Sequence, residues 1–249
     1  MPMLFLSPST QDYNSYYDGS GSEEYYMNLV ADYMEPYLTA SGITFGRNDP
    51  SGTVGASVRA SNAGNYLLHL ALHSNASGSA NYGRQTGCDV YYYPSSGDGK
   101  RFAEIIADNM RKIYYDPARV RTLATTSLYE LNNTVAPAVL IEIAYHDNET
   151  DAEWIKNNLR AIAKYLSLSV AEYFGMPLID PAPDVGRGRV KTQGGRLNIR
   201  EAPNTGATII GQIPDGAEIA LFGSENGWYL VEYAGMRGYS YGEYIIPNE

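Results

Sequence analysis

Cysteine and long apolar runs are nearly missing from this chain. Cys88 is the only cysteine among 249 residues, so no intrachain disulfide can form and a structural zinc site built on thiolates is excluded. No apolar stretch approaches the length that crosses a membrane. The first residues have no basic segment and only a short apolar run, unlike a signal peptide. The sequence therefore predicts neither membrane insertion nor a signal peptide.

Basic side chains are also in short supply. The 18 Lys and Arg residues face 28 Asp and Glu residues, for a formal net charge of −10 and a pI near 4.8. This balance argues against nucleic acid or an anionic membrane surface as a partner. Residues 1–186 have 12 basic and 21 acidic side chains, whereas residues 187–249 have 6 and 7. The contrast indicates a domain boundary between the two parts.

Apolar runs typical of strands alternate with helical segments through residues 1–175. Such alternation predicts an α/β domain with a mainly parallel twisted sheet flanked by helices. A capping box at Ser20-x-x-Glu23 precedes the first helix. Strands are predicted at 3–6, 43–46, 66–72, 88–93, near Leu128 and at 138–144, and the later helices at 54–63, 99–113 and 150–174.

The pattern changes after a proline-rich segment at 176–186, which predicts a short linker. Residues 187–249 contain short apolar runs separated by turn residues. Six strands of this kind predict a small SH3-like β-barrel. They are expected at 188–191, 197–200, 208–213, 218–224, 228–233 and 235–239.

Three side chains suited to metal or proton chemistry fall near one edge of the predicted sheet. His73 follows a buried strand, at the end where ligands of α/β sheets bind. Glu142 lies within an apolar run, where an ionised carboxylate needs a metal, a cation or a raised pKa. Glu24 opens the first helix. Together they indicate a metal-assisted hydrolase.

His69 is four residues before His73 on the same strand. At about 3.3 Å per residue, the two backbones are about 13 Å apart and cannot share one ion. We interpret His69 as a core residue.

Motifs at these positions resemble those of zinc-dependent N-acetylmuramoyl-L-alanine amidases of the amidase-3 type. Glu24-Tyr-Tyr-Met-Asn28 is similar to the family's E-x-x-x-N helix start, and Leu72-His-Ser-Asn75 to its S-x-H-x-N strand end. Pro137-Ala-Val-Leu-Ile-Glu142 is similar to its A-V-L-x-E strand. Residues 187–247 resemble a bacterial SH3 domain, through Leu197-Asn-Ile-Arg200 and Gly227-Trp-Tyr229.

The resemblance implies a peptidoglycan hydrolase that cleaves the amide between N-acetylmuramic acid and L-alanine. His73 and Glu24 would be zinc ligands, and Glu142 the general base that activates a zinc-bound water. Asn75 would contact the substrate. The SH3 domain would target the cell wall, so peptidoglycan is the implied partner and the cell wall or the extracellular space the implied place of action.

The family's first motif, D-P-G-H-G-G, has no counterpart here. Leu6-Ser-Pro-Ser-Thr10-Gln11 stands where the first zinc histidine is expected. The Gln11 carbonyl is one candidate for the third ligand, and a turn residue is the alternative. His146 is another candidate, either as a ligand or as a substrate-polarising group, and a surface histidine is the alternative.

The missing histidine leaves a second functional hypothesis. The chain could be a non-catalytic peptidoglycan-binding protein on an amidase fold that lost a metal ligand. The intact Glu142 favours the enzyme, because a buried carboxylate without a task costs stability.

Overall fold

The structure, a computed structural model, describes residues 3–181, 186–225 and 227–248. The chain divides into two compact units, Met1–Glu35 with Ile43–Met176 and Pro36–Gly42 with Pro177–Glu249. Residues 182–185 of the predicted linker lie outside the described residues.

The first unit contains a six-stranded sheet. Its strands are β1 (Leu4–Pro8), β2 (Phe45–Arg47), β3 (Leu68–Asn75), β4 (Cys88–Tyr92), β5 (Val120–Ala124) and β6 (Ala138–Tyr145). Their order across the sheet is β2-β1-β3-β6-β4-β5, and only the β4–β6 pair is antiparallel. The central strands β3 and β6 are buried almost throughout, which explains their continuous apolar sequences. The predicted mainly parallel sheet is confirmed.

Helices flank this sheet, as predicted. They are α1 (Glu23–Ala40), α2 (Val54–Ala63), α3 (Gly97–Met110), α4 (Tyr129–Asn133) and α5 (Glu149–Phe174). α3 packs against α5, and α2 packs against α4. None of the helices in the described part of the chain is long and apolar enough to cross a membrane.

Two local predictions are wrong. The residue that caps α1 is Ser22, whose Oγ accepts the Tyr25 N–H at 3.1 Å, while the Ser20 hydroxyl bonds the Tyr26 hydroxyl. Leu128 directly precedes α4 and is not part of a strand, since the strand of this region is β5. A short apolar segment does not by itself distinguish a strand from a helix start, and pairing with β4 decided the case.

Asp151, in the first turn of α5, joins three segments of the first unit. Its Oδ1 accepts the hydroxyls of Tyr114 and Tyr115, each at 2.6 Å. Its Oδ2 accepts the backbone N–H groups of Gly87 at 3.1 Å and Tyr145 at 2.9 Å. The residue is fully buried, so these four donors have no water to replace the carboxylate.

We expect Asp151→Asn to lower the free energy of unfolding by about 2–4 kcal/mol, because the amide turns its own N–H donors toward buried donors. Urea unfolding measures the change. Asp98→Asn, on the exposed first turn of α3, is the matched control and should cost no more than about 1 kcal/mol. Equal losses in the two variants would contradict this role of Asp151.

The second unit contains a seven-stranded antiparallel sheet among its described residues, in agreement with the predicted SH3-like domain. The sheet surrounds an apolar cluster that includes Ile199, Leu221 and Val231. Its strands are β7 (Arg187–Val190), β8 (Arg196–Arg200), β9 (Ile209–Pro214), β10 (Glu218–Glu225), β11 (Trp228–Tyr233), β12 (Met236–Tyr241) and β13 (Ile245–Pro247). The last of these was not among the six predicted strands.

Candidate functional site

One row of polar side chains crosses four neighbouring strands. His73 on β3 is in register with Glu142 on β6, which is in register with Asp89 on β4. Asp89 is in turn paired with Arg121 on β5. Residues in register on adjacent strands project to the same face of a sheet. The row therefore gathers an imidazole, two carboxylates and a guanidinium on one face.

His73 is held between carboxylates from two helices. Its Nδ1 is 2.7 Å from Oε1 of Glu23, the first residue of α1, and its Nε2 is 3.2 Å from Oε2 of Glu130 on α4. Burial alone would lower the pKa of His73, but these hydrogen bonds outweigh it and raise that pKa well above its usual range. Burial likewise opposes the ionised forms of Glu23 and Glu130, yet the hydrogen bond to His73 keeps the pKa of Glu23 lowered, and the hydrogen bonds to His69 and His73 keep that of Glu130 lowered. His73 is thus an imidazolium between two carboxylates.

Glu130 also connects His73 to His69. Its Oε1 accepts the Ser7 hydroxyl at 2.6 Å and lies 3.2 Å from Nε2 of His69. His69 is fully buried and stacks on Phe5, as expected of a core residue. Glu130 was not among the predicted site residues. The one signal for it was the pair of histidines on one strand face, which would need an anionic partner.

The carboxylate beside His73 belongs to Glu23, whereas the motif resemblance predicts Glu24 at this place. Successive residues of a helix differ by about 100° in direction, so only one of the two can face the sheet. Glu23 is 1% exposed, and Glu24 Oε1 instead accepts the side-chain amide of Asn28 at 3.3 Å. The E-x-x-x-N spacing is therefore an i,i+4 pair along the helix, and the carboxylate next to His73 is that of Glu23.

Gln11 lies beside Glu23 and His73 but turns its amide nitrogen toward them. Nε2 is 3.4 Å from Glu23 Oε1 and 3.5 Å from His73 Nδ1. Asn14 explains this orientation, because its Nδ2 donates both to Glu23 Oε2 at 2.7 Å and to Gln11 Oε1 at 3.1 Å. The Tyr13 hydroxyl donates to the same Gln11 oxygen at 3.0 Å. The carbonyl oxygen of Gln11 is thus engaged on the side away from His73.

These contacts decide whether the residues fit the implied zinc ion. A catalytic zinc site takes three protein ligands, with imidazole nitrogen and carboxylate oxygen among the preferred donors. His73 and Glu23 are two such donors. Neither neighbour supplies a third ligand, because Gln11 presents N–H groups and Glu130 lies at the opposite nitrogen of His73. Within the described ranges, no group of three or more His, Cys, Asp or Glu side chains could hold a metal ion. The arrangement does not fit a three-ligand zinc centre.

Glu142 is the acid–base candidate of the row. Its Oε2 is buried and has no hydrogen-bond partner among the residues that the structure describes. Burial raises the pKa of Glu142 to about 7, against the lowering effect of His73 and with a further increase from Glu23 and Asp89. A carboxyl group with this pKa can both accept and donate a proton near neutral pH.

The two residues predicted to contact substrate have structural contacts of their own. His146 is buried rather than on the surface, its Nδ1 donates to the Ser74 carbonyl at 2.8 Å, and its ring stacks on Tyr16. The Asn75 side chain accepts the N–H of Ala76 at 2.8 Å. These hydrogen-bond and stacking partners of His146 and Asn75 do not include Glu23, His73 or Gln11.

A cavity of about 450 Å³ opens onto His73 and Glu130. The segment from Ser7 to Gln11 forms one wall, and the residues from Gly52 to Val54, which lead into α2, form another. Its volume lies within the range of small-molecule sites, so it has room for part of a peptide or a sugar.

Comparisons with known proteins match both parts of the chain to protein families. A family model described as N-acetylmuramoyl-L-alanine amidase matches residues 9–171, and a bacterial SH3 domain model matches residues 195–246. N-acetylmuramoyl-L-alanine amidase LytC of Bacillus subtilis (strain 168) is 28% identical over 159 residues. That match covers 61% of this chain and 31% of LytC, so it spans less than a third of the relative's length.

Solved structures show the same fold. The catalytic domain of CwlV, an N-acetylmuramoyl-L-alanine amidase from Bacillus (Paenibacillus) polymyxa var. colistinus, is similar with a TM-score of 0.60 and 18% identity, over 71% of this chain and 100% of that chain. Cwp6 from Clostridium difficile is similar with a TM-score of 0.61 and 21% identity, over 69% of this chain and 29% of that chain. At these identities the likeness shows the fold of the first unit.

Proposed function

Because this chain belongs to the N-acetylmuramoyl-L-alanine amidase family, we propose that it hydrolyses the amide bond between N-acetylmuramic acid and L-alanine in peptidoglycan. The observation that supports this most directly is Glu142, whose Oε2 is buried without a hydrogen-bond partner in the described structure and whose pKa is raised to about 7. The cell wall or the extracellular space is the proposed place of action. The SH3 match supports peptidoglycan as the partner of the second unit.

Amide hydrolysis needs a base for the attacking water and an acid for the departing amine. In the proposed reaction, Glu142 takes a proton from water as the oxygen attacks the lactyl carbonyl. Glu142 then returns that proton to the nitrogen as the C–N bond breaks, which leaves a lactyl carboxylate and the free amino group of L-alanine. Zinc, which the resemblance implies, enters no step because the donor set does not fit it.

The orientation of Gln11 favours a second candidate, a peptidoglycan-binding protein without turnover. An amidase fold that lost its first metal ligand would retain the cavity at His73 as a binding site. The second unit offers a further cavity of about 510 Å³, lined by Trp228, Tyr241 and Tyr244 among others. Aromatic rings of this kind pack well against the apolar faces of sugars and peptides.

One experiment separates the two candidates. The purified full chain is incubated with N-acetylmuramyl-pentapeptide, and products are identified by mass spectrometry. The hydrolase releases N-acetylmuramic acid and a pentapeptide with a new L-alanine amino terminus. Binding to purified sacculi without either product would support the binding protein and overturn the hydrolase. Neither release nor binding would contradict both candidates.

A further inference from the structure

A cluster of three arginines stands out in the first unit, where acidic side chains outnumber basic ones. Arg84, Arg119 and Arg121 line a cavity of about 370 Å³ together with Tyr145. We call these four residues the arginine pocket. No step of the proposed reaction uses it.

Two of the arginines are held in place before any ligand arrives. Arg121 donates Nε and Nη2 to the two oxygens of Asp89 at 2.7 and 2.8 Å, and Asp89 is almost fully buried. Arg119 donates to Asp116 at 3.0 Å and to the Thr86 hydroxyl at 2.7 Å. Guanidinium groups fixed in this way lose little conformational freedom when they bind.

The balance of charge in the pocket favours an anion. Arg119 and Arg121 each pair with one carboxylate. Arg84 adds a third positive charge, and its guanidinium makes no ion pair with any residue in the described ranges. The planar guanidinium group matches a carboxylate with two parallel N–H bonds. The pocket therefore has the charge and the donors for one carboxylate.

The position of the pocket relates it to Glu142. Arg121 is in register with Asp89, and Asp89 with Glu142, so the backbones of Arg121 and Glu142 are two strand spacings apart. At about 4.8 Å per spacing this is about 10 Å, the length of about three residues of extended peptide. If a peptide substrate places its cleaved amide at Glu142, a carboxylate in the pocket belongs to a residue within about three positions of that amide.

We propose that the arginine pocket is a subsite for a carboxylate of the peptidoglycan stem peptide, near the cleaved amide. The identity of this peptide rests on the proposed function, whereas the preference for a carboxylate rests on the pocket alone. The subsite makes the protein selective for stem peptides whose second residue is an acid over those in which the same group is an amide.

Binding to the full-length Glu142→Gln protein tests this proposal without turnover. The probes are N-acetylmuramyl-L-alanyl-γ-D-glutamyl-L-lysine amide and the same compound with the glutamyl α-carboxylate converted to an amide, both titrated by calorimetry. We expect the acid to bind about tenfold more tightly than the amide. Arg84→Gln should weaken binding of the acid about threefold to fivefold, and Arg84→Gln with Arg119→Gln should bring it to the level of the amide.

Arg101→Gln is the matched control, because Arg101 is exposed on α3 and stacks over Tyr173 outside the pocket. It removes the same charge and should leave both affinities unchanged. Equal affinity for acid and amide, or an equal loss in Arg101→Gln, would overturn the subsite. Hydrolysis by the wild type without this selectivity would overturn the subsite and leave the proposed function standing. Selective binding without hydrolysis would overturn the proposed function and leave the subsite standing.

Discussion

Glu142→Gln is expected to slow amide hydrolysis by about 10²–10⁴-fold, the usual contribution of a general acid–base group. The amide of glutamine is close in shape to the carboxyl group but cannot take a proton from water. Binding to purified sacculi should be unchanged, because the variant alters neither fold nor charge outside the row. Rates are measured as release of the L-alanine amino terminus from N-acetylmuramyl-pentapeptide. A variant with wild-type rate would show that the base lies elsewhere.

The same substitution is expected to stabilise the protein at alkaline pH. Burial raises the pKa of Glu142 from its usual 4.5 to about 7, so the folded state holds this proton more tightly than the unfolded state. Stability from this group is fully present below pH 4.5 and is lost as pH rises through 7. The variant avoids the loss, so it should exceed wild type by about 1–3 kcal/mol above pH 8 and by nearly nothing at pH 4.5.

Urea unfolding of both proteins between pH 4.5 and 9 measures this difference. Glu149→Gln is the matched control, since it makes the same change at an exposed residue at the start of α5. A difference between Glu142→Gln and wild type that stays constant with pH would mean that the Glu142 carboxyl ionises in the folded protein as it does in water.

Gln11→His is expected to create a zinc site that the wild-type arrangement lacks. The imidazole would replace the amide that faces Glu23 and His73 and would add a third donor of the kind that zinc prefers. After dialysis against micromolar Zn²⁺, elemental analysis should find about one zinc per chain in the variant and well below one in wild type. Adding His73→Ala to the variant should remove the bound zinc.

Thr10→His is the matched control for this experiment, because Thr10 is the other residue at the position of the missing histidine. The contacts of Gln11 with Glu23 and His73 indicate that zinc will be gained at position 11 and not at position 10. One full equivalent of zinc in wild type would overturn the conclusion that the donor set does not fit the metal. A gain at Thr10→His alone would move the third ligand to that residue.

A residue whose character conflicts with its local pattern could be located from sequence, although its role stays a prediction. Glu142 was recognised because an acid within the run from Ala138 to Ala144 conflicts with burial, and the structure buries one of its oxygens without a partner. Glu130 could not be recognised in this way. It reaches His73 and His69 across 57 and 61 residues of chain, through the placement of α4 beside β3. Glu23 and Glu24 differ by one residue, and only the direction in which α1 faces the sheet separates them.

The sequence by itself determined the class of fold, the SH3-like second part and the acid at the centre of the row, because burial imposes a periodicity that each segment expresses alone. Only the tertiary structure decided which atoms face one another. The Asn14 amide that turns Gln11 away from the role of a ligand, and the arginines gathered beside Tyr145, depend on hydrogen bonds of about 3 Å between distant segments. Such distances follow from the packing of the whole unit, and a local pattern of residues does not determine them.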